Sequence, residues 1–338
     1  MFEIVTKSAL NCKIEFCNIL NENFNENSVF IIDKNVFFHH QFFSKFSKIL
    51  LVESNENIKS LNYLKKIYSF FFKNNITKDY TIYCVGGGTL SDLVGFASNS
   101  YLRGVNLTLI PTTMLSMADA AIGGKNALNF GKMKNAIGSL NLPQKVIIDI
   151  SFLRTLPEEY YFSGLAEIIK IAILKSNELF QLLELNKKEL IHKDFRFLEF
   201  IIKQAIKLKV DIVNKDFTDK NERLILNFGH TFGHSIELVK NIPHGYAVAE
   251  GILYSLLISE KLEILEKNVK ESVLSLLNYY NLLQYWDVKS PVYKLLLRDK
   301  KNNFDSIRMI LLKDIEQPII KTFKRDEFTK LIKNLFKY

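Results

Sequence analysis

The segment TIYCVGGGTLSDLVGF, residues 81–96, admits few folds. An apolar strand runs into three successive glycines, Gly86, Gly87 and Gly88, and a helix is expected from near Thr89. A strand that turns straight into a helix belongs to a parallel sheet, because parallel neighbours need a crossover between them. Residues without a Cβ let the backbone approach a pyrophosphate, and the next helix start offers free N–H groups and a favourable dipole. A plain tight turn would use the same residues. The spacing is not G-x-G-x-x-G, so the standard dinucleotide fingerprint is absent. Asp92, one turn into the helix, either meets a ligand group or complements the dipole.

The neighbouring segments extend this pattern. SVFII, residues 28–32, reads as a strand ending at Asp33, Lys34 and Asn35. An acid there suits a ribose hydroxyl, although strand ends also carry Asp for turn chemistry. KILLVE leads to Glu56 and Lys59, and helical spacing of apolar residues follows from about Ile58 to Lys73. NLTLIPTTML is a strand ending at Pro111 that sets Thr112 and Thr113 at its carboxyl end, the ligand side of an open sheet. Asp119 then precedes AAIGGKNALNFGKMKNAIG, expected as a loop whose Lys125, Lys132, Lys134 and Asn135 suit phosphate or carboxylate oxygens. KVIIDI closes the series, and the alternation of strands and helices predicts a parallel sheet covered on both faces.

After SFLRTLPEEY the apolar spacing becomes helical, so the expected domains are 1–150, an α/β half, and 151–338, a mainly helical half. Late in the chain, LLLRDKKNNFDSIRMILLKDI reads as a basic turn followed by a short strand. Three of the six histidines, His230, His234 and His244, fall in RLILNFGHTFGHSIELVKNIPHGYAVAEG. His230 and His234 share a helical face, while His244 follows Pro243 and belongs at the next helix start. Satisfied structural histidines would give the same count, but Arg223 and Asn227 beside two Gly-His pairs suit an anionic, oxygenated ligand. Glu167 and Lys170 lie on one face of an otherwise apolar helix and need partners there. They form an internal ion pair, or Glu167 joins two histidines around Zn²⁺ and leaves a position open to substrate.

The remaining features restrict the class. A net charge of +9 arises from 45 Lys and Arg against 36 acids, scattered rather than gathered, and no basic block with interleaved aromatics points to nucleic acid. Cys12, Cys17 and Cys84 are odd in number, which argues against a disulfide framework. The first residues, MFEIVTKSALNCKIEF, alternate like a strand and lack a signal-peptide core, and no apolar run is long enough for a membrane span. A cytoplasmic protein acting on a small molecule is expected. Together the halves suit a nicotinamide enzyme whose metal polarises a hydroxyl or carbonyl of an anionic substrate.

Four ordered blocks resemble one family: GGGTLSDLVGF; RGVNLTLIPTTML with the later Asp, GGK and KN; LPEEYYFSGLAEIIK; and the R…NFGHTFGHSIE…HG stretch. They are similar to the 3-dehydroquinate synthases, the sugar-phosphate cyclases of the shikimate pathway, from Asp33 to about Leu312. The resemblance implies a Rossmann-like NAD-binding domain followed by a mainly α-helical metal- and substrate-binding domain. It implies metal ligands Glu167, His230 and His244, where spacing alone pairs His230 with His234, and sets His234 near the substrate. Cofactor contacts by resemblance are Asp33, Asn35, Glu56, Lys59, Gly86, Gly87, Gly88, Asp92, Thr112, Thr113 and Thr155. Substrate contacts are Asp119, Lys125, Lys134, Asn135, Lys170, Lys209, Arg223 and Asn227, with Lys301 aligned less closely. Arg103 matches an arginine that reaches the neighbouring subunit's phosphate site, which implies a homodimer.

The implied reaction converts 3-deoxy-D-arabino-heptulosonate 7-phosphate to 3-dehydroquinate and phosphate. It proceeds by transient oxidation with NAD⁺ aided by Zn²⁺ or Co²⁺, elimination, reduction and aldol closure. Asn126 and Ala127 stand where the family usually has Thr-Gly, Tyr246 where Glu is frequent, and Glu250 in place of an apolar residue. The alternatives are a related cyclase using sedoheptulose 7-phosphate, or a glycerol-type metal-dependent alcohol dehydrogenase that would release NADH. A non-catalytic scaffold or a nucleic-acid-binding protein, suggested only by the charge, is the third.

Overall fold

The computed structural model describes residues 1–5, 11–131, 133–285, 292, 296 and 306–336. The chain divides into two compact units, Met1–Pro157 with Lys209–Thr218, and Glu158–Leu208 with Asp219–Tyr338. The change in apolar spacing predicts a boundary after residue 150, whereas the first unit runs on to Pro157 and takes in 209–218, a return that the spacing does not mark because most of it continues an amphipathic helix.

In the first unit the apolar runs become strands; the central ones, over residues 28–33, 106–111 and 145–148, are buried nearly throughout, as covered parallel strands must be, while those towards the sheet's edges stay partly exposed. The strands are β1 (Phe2–Val5), β2 (Asn11–Phe16), β3 (Ser28–Asp33), β4 (Ile49–Val52), β5 (Thr81–Gly86), β6 (Asn106–Pro111) and, after a separate hairpin, β9 (Lys145–Ile148). They form one sheet in the order β1-β2-β9-β6-β5-β3-β4, parallel throughout except for the antiparallel β1–β2 pair. Helices α1 (Lys34–His39), α2 (Leu61–Lys73) and α3 (Gly88–Ser100) connect these strands. Ser60 caps α2 by accepting from Tyr63 N, so the helix begins three residues later than periodicity indicated, and Leu64, Ile67 and Phe71 form its buried stripe. From β3 the chain adds β4 on one side and β5, β6 and β9 on the other, so the order reverses between β3 and β5. Ligands bind outside the carboxyl ends of such a reversal.

The glycine- and lysine-rich segment expected as a loop is a hairpin, β7 (Lys125–Phe130) and β8 (Met133–Leu140). Its polar residues hid the alternation. Gly124 makes the entry at φ +71°, where a Cβ would sit 3.0 Å from the Asn141 carbonyl.

The second unit is built from α4 (Glu158–Lys175), α5 (Asn177–Leu185), α6 (Lys187–Ile191), the first part of α7 (Phe195–Lys215), α8 (His230–Lys240), α9 (His244–Lys261) and α10 (Val269–Tyr279). Helices α4 and α9 are apolar nearly all round and correspondingly buried. The mainly helical expectation holds, with one addition: β10 (Ser306–Asp314) pairs antiparallel with β11 (Gln317–Lys324), a strand the sequence reading lacked, before α11 (Arg325–Phe336). Phe232, Ile236, Tyr254, Ile258, Met309, Leu311, Phe323 and Phe328 pack this hairpin into one core with α8, α9 and α11. Among the described residues no helix is long and apolar enough to cross a membrane.

Candidate active site

In the first unit, several of the expected cofactor residues collect at the reversal point. Asp33 ends β3 and its Oδ1 accepts from Asn35 N at 2.8 Å and Val36 N at 3.3 Å, which caps α1. Gly86 ends the adjacent β5, and a Cβ on it would lie 3.5 Å from that of Asp33. Gly87 precedes α3 without any side-chain cap, so the N–H groups of the first turn remain available to an anion. Thr112 N donates to Gly86 O at 3.0 Å, and Thr113 Oγ1 pairs with Ser116 Oγ at 2.9 Å. Glycine is needed here for packing as well: a Cβ on Gly88 would meet Ala120 at 2.9 Å.

Buried cations sit beside this edge. Lys59, 4% exposed, contacts Asp92 Oδ2 at 2.6 Å and also Asn135 Oδ1. Glu56, three residues before it, accepts from Asn129 Nδ2 at 2.8 Å. Burial raises the Asp92 carboxyl above its ordinary 3.8, and the Lys59 charge opposes that shift. Lys209 donates to Asp119 through both the backbone carbonyl at 2.6 Å and Oδ1 at 2.5 Å. Asp119 lies in a one-turn π-helix, Ser116–Ala120, a local widening often found where a side chain is re-aimed for function. Lys125 is exposed and Lys134 partly buried on the hairpin. Thr155 stands apart from the glycines in its contacts, with Oγ1 3.3 Å from His40 Nε2. Arg103 is exposed on a turn where Leu102 and Arg103 take φ +49° and +62°.

The second unit carries the histidine cluster. Glu167, 2% exposed on α4, directs Oε1 to His244 Nε2 at 3.3 Å and to His230 Nε2 at 3.7 Å, while Oε2 contacts Lys170 Nζ. One donor atom from each of Glu167, His230 and His244 lies within 4.8 Å of the others. Both remaining ring nitrogens are engaged: His230 Nδ1 with Phe228 O at 3.1 Å and His244 Nδ1 with Glu237 Oε2 at 3.0 Å. Both Nε2 atoms face Glu167 Oε1, a carboxylate–imidazole set suited to Zn²⁺ or a similar ion. Burial disfavours charge on His244, but Glu167 and Glu237 outweigh it and push the imidazole up to about 10, a measure of how strongly the site favours positive charge. His234 lies one turn beyond His230, with ring centroids 5.2 Å apart, and contributes no donor to that triad.

Helix packing makes this convergence possible. Gly229 begins α8 at φ +78°, where a Cβ would meet Val248 O at 2.7 Å, and a Cβ on Gly233 would meet Ala247 O at 2.9 Å. Gly245 N donates to Ser163 Oγ at 2.9 Å, one helical turn before Glu167. Arg223 is buried at 2% exposure in the turn Glu222–Asn227, where Asn227 Nδ2 also donates to Leu224 O at 3.0 Å.

The sequence reading missed Glu237. Its signal was present in the spacing, seven residues after His230 and hence on the same face of α8. The unusual residues acquire local explanations. Asn126 Nδ2 donates to Gly124 O at 3.1 Å and Asn141 O at 3.2 Å, closing the hairpin's base against Gly95. Glu250, fully buried, accepts from Gln284 N and from Tyr285 N at 2.8 Å, which ties down the segment that follows α10. Tyr246 lines a surface cavity of about 550 Å³ with Phe162 and Tyr280. Lys301 lies outside the described residues.

Residues 49–163 match the family model described as 3-dehydroquinate synthase N-terminal, and residues 164–302 match that described as 3-dehydroquinate synthase C-terminal. The 3-dehydroquinate synthase of Sulfolobus acidocaldarius is 39% identical over 234 residues, 68% of this chain and 66% of that one. That of Staphylococcus epidermidis is 33% identical over 328 residues, 93% of this chain and 91% of that one. Among solved structures, 2-epi-5-epi-valiolone synthase from Streptomyces hygroscopicus subsp. jinggangensis, with NAD⁺ and Zn²⁺ bound, has a TM-score of 0.86 at 22% identity. That match covers 100% of this chain and 99% of the other, a likeness of fold.

Proposed function

The chain belongs to the 3-dehydroquinate synthase family, and we propose that it converts 3-deoxy-D-arabino-heptulosonate 7-phosphate to 3-dehydroquinate and phosphate. The observation that carries this reading is the buried Glu167 carboxylate facing two histidine Nε2 atoms, in a chain whose two halves both match the family. The resident groups would be NAD⁺ and a divalent metal, as in the valiolone synthase of the same fold, with Co²⁺ able to replace Zn²⁺ at such nitrogen and oxygen donors. When bound, these supply a hydride acceptor and a Lewis acid at an alcohol oxygen.

The chain's own residues hold and orient. Glu167 Oε1 and the Nε2 atoms of His230 and His244 would hold the cation. The uncapped first turn of α3, Gly86 to Gly88, Asp33, Thr112 and Thr113 would hold the dinucleotide, with Asn35, Glu56, Lys59, Asp92 and Thr155 supporting it. Lys125, Lys134, Asn135, Lys170, Lys209, Arg223 and Asn227 would fix the substrate's carboxylate and phosphate by charge-assisted hydrogen bonds. Asp119 holds Lys209 in place until an anion arrives. His234 would move a proton, and the departing phosphate can serve as a further base. The active form is a homodimer in which Arg103 serves the partner's phosphate site, working in the cytoplasm.

The test is phosphate release by purified protein with NAD⁺ and Zn²⁺, before and after chelation, with sedoheptulose 7-phosphate run in parallel. Chelator-sensitive release from the heptulosonate alone, without net NADH, is expected. Release only from sedoheptulose 7-phosphate makes it another cyclase, and steady NADH without phosphate sinks the cyclase reading altogether.

A further inference from the structure

The two histidines facing Glu167 are held in different ways. His230 Nδ1 meets a main-chain carbonyl, Phe228 O, only two residues away, so the backbone at the start of α8 fixes that ring. His244 is the first residue of α9, and the Gly245–Ser163 bond fixes its backbone but not its side-chain torsions. Its described polar partners are Glu167 on one nitrogen and Glu237 on the other, beside ring contacts with His230 and His234. We infer that Glu237 is a positioning residue that holds His244 with Nε2 toward the cation and thereby sets metal affinity. The inference rests on Glu167, His230 and His244 being the metal ligands.

Three physical points support it. A neutral imidazole that donates Nδ1–H must present an unprotonated Nε2, so the 3.0 Å contact to Glu237 selects the ligating tautomer as well as the ring orientation. His230, His234 and Glu237 stand at i, i+4 and i+7 on α8, so one helix face supplies one ligand and the anchor for the other. Finally, His230 and His244 each begin a helix, where the positive dipole end opposes a cation. The Glu237 side chain is only 17% exposed, so its charge is weakly screened and offsets that field.

Co²⁺ alone is the probe, titrated into the metal-stripped full chain against a chromophoric chelator and followed by its visible absorption. Glu237→Ala is expected to bind about 10- to 100-fold more weakly, with a shifted Co²⁺ spectrum. Glu237→Gln keeps an acceptor oxygen without the charge, so it should bind with intermediate affinity and retain the wild-type spectrum. Metal-stripped forms of both variants should unfold cooperatively within a few degrees of wild type. Wild-type affinity and spectrum in Glu237→Ala would overturn the inference, and so would a metal-stripped Glu237→Gln that no longer folds, since the contact would then be structural. A wild-type chain that takes up no Co²⁺, or a Glu167→Gln chain that binds it unchanged, would instead remove the metal site beneath the inference.

Discussion

Gly245 lies directly against Ser163: its N–H donates to Ser163 Oγ at 2.9 Å, and a Cβ there would collide with the Ser163 carbonyl. This contact brings the start of α9, and with it His244, to α4 one turn from Glu167. A glycine thus decides where a histidine can reach.

Gly245→Ala should therefore destabilise the chain by about 3 kcal/mol or more, because two backbones would have to separate. It should weaken metal binding in the same measure. Gly131, at φ +58° with open space where a Cβ would stand, should cost only about 1–2 kcal/mol when changed to Ala. Denaturant unfolding of the two variants compares them; equal losses would remove the packing argument.

Replacing Glu167 with Gln should abolish tight zinc binding and turnover while the protein stays folded, since the amide keeps a partner for Lys170. Metal content after dialysis, read with circular dichroism, checks both parts. A fully active, zinc-loaded Glu167→Gln would end the assignment of this carboxylate.

Lys59→Met should leave the Asp92 carboxylate without its buried cation and cost about 3 kcal/mol near neutral pH. The sign of its pH dependence follows from burial. Asp92 already titrates above 3.8 in the folded chain, and without Lys59 it will rise further. The folded state then holds its proton more tightly than the unfolded state, so the deficit should be small below the unfolded value and grow as pH rises through the folded one. Unfolding of wild type and variant at about pH 4 and pH 8 measures it; a deficit that shrinks with rising pH contradicts the argument.

Asn126→Ala should remove two hydrogen bonds at the base of the hairpin, costing about 1–3 kcal/mol. Its preference between the heptulosonate and sedoheptulose 7-phosphate should not change, because the amide is spent on Gly124 and Asn141. A switch in preference would return this position to substrate selection.

The thiols provide a check on the fold. Burial holds the Cys84 thiol high and pushes Cys12 up to about 12, so both should resist alkylation at neutral pH until the chain unfolds. Mass spectrometry after a short iodoacetamide pulse would reveal early labelling at either residue.

Much of this protein was determined by short-range sequence. A strand's alternation or continuous apolar run, the glycines after TIYCV and the helical spacing of the second half are local signals, because backbone geometry repeats every two or 3.6 residues. They sufficed for the parallel sheet, the helical unit, the start of α9 at His244 and four ordered family blocks. The hairpin β7–β8 escaped because its strands are polar, and β11 because QPIIKTFK carries no strong alternation. Spacing alone also favoured His230 with His234, since it registers neighbours on one helix and not on three. Only the tertiary structure brought α4, α8 and α9 close enough for Glu167 to face His230 and His244, and disclosed Glu237 behind His244. That convergence depends on glycines whose missing Cβ atoms matter through what stands opposite them in space, which a linear sequence does not carry.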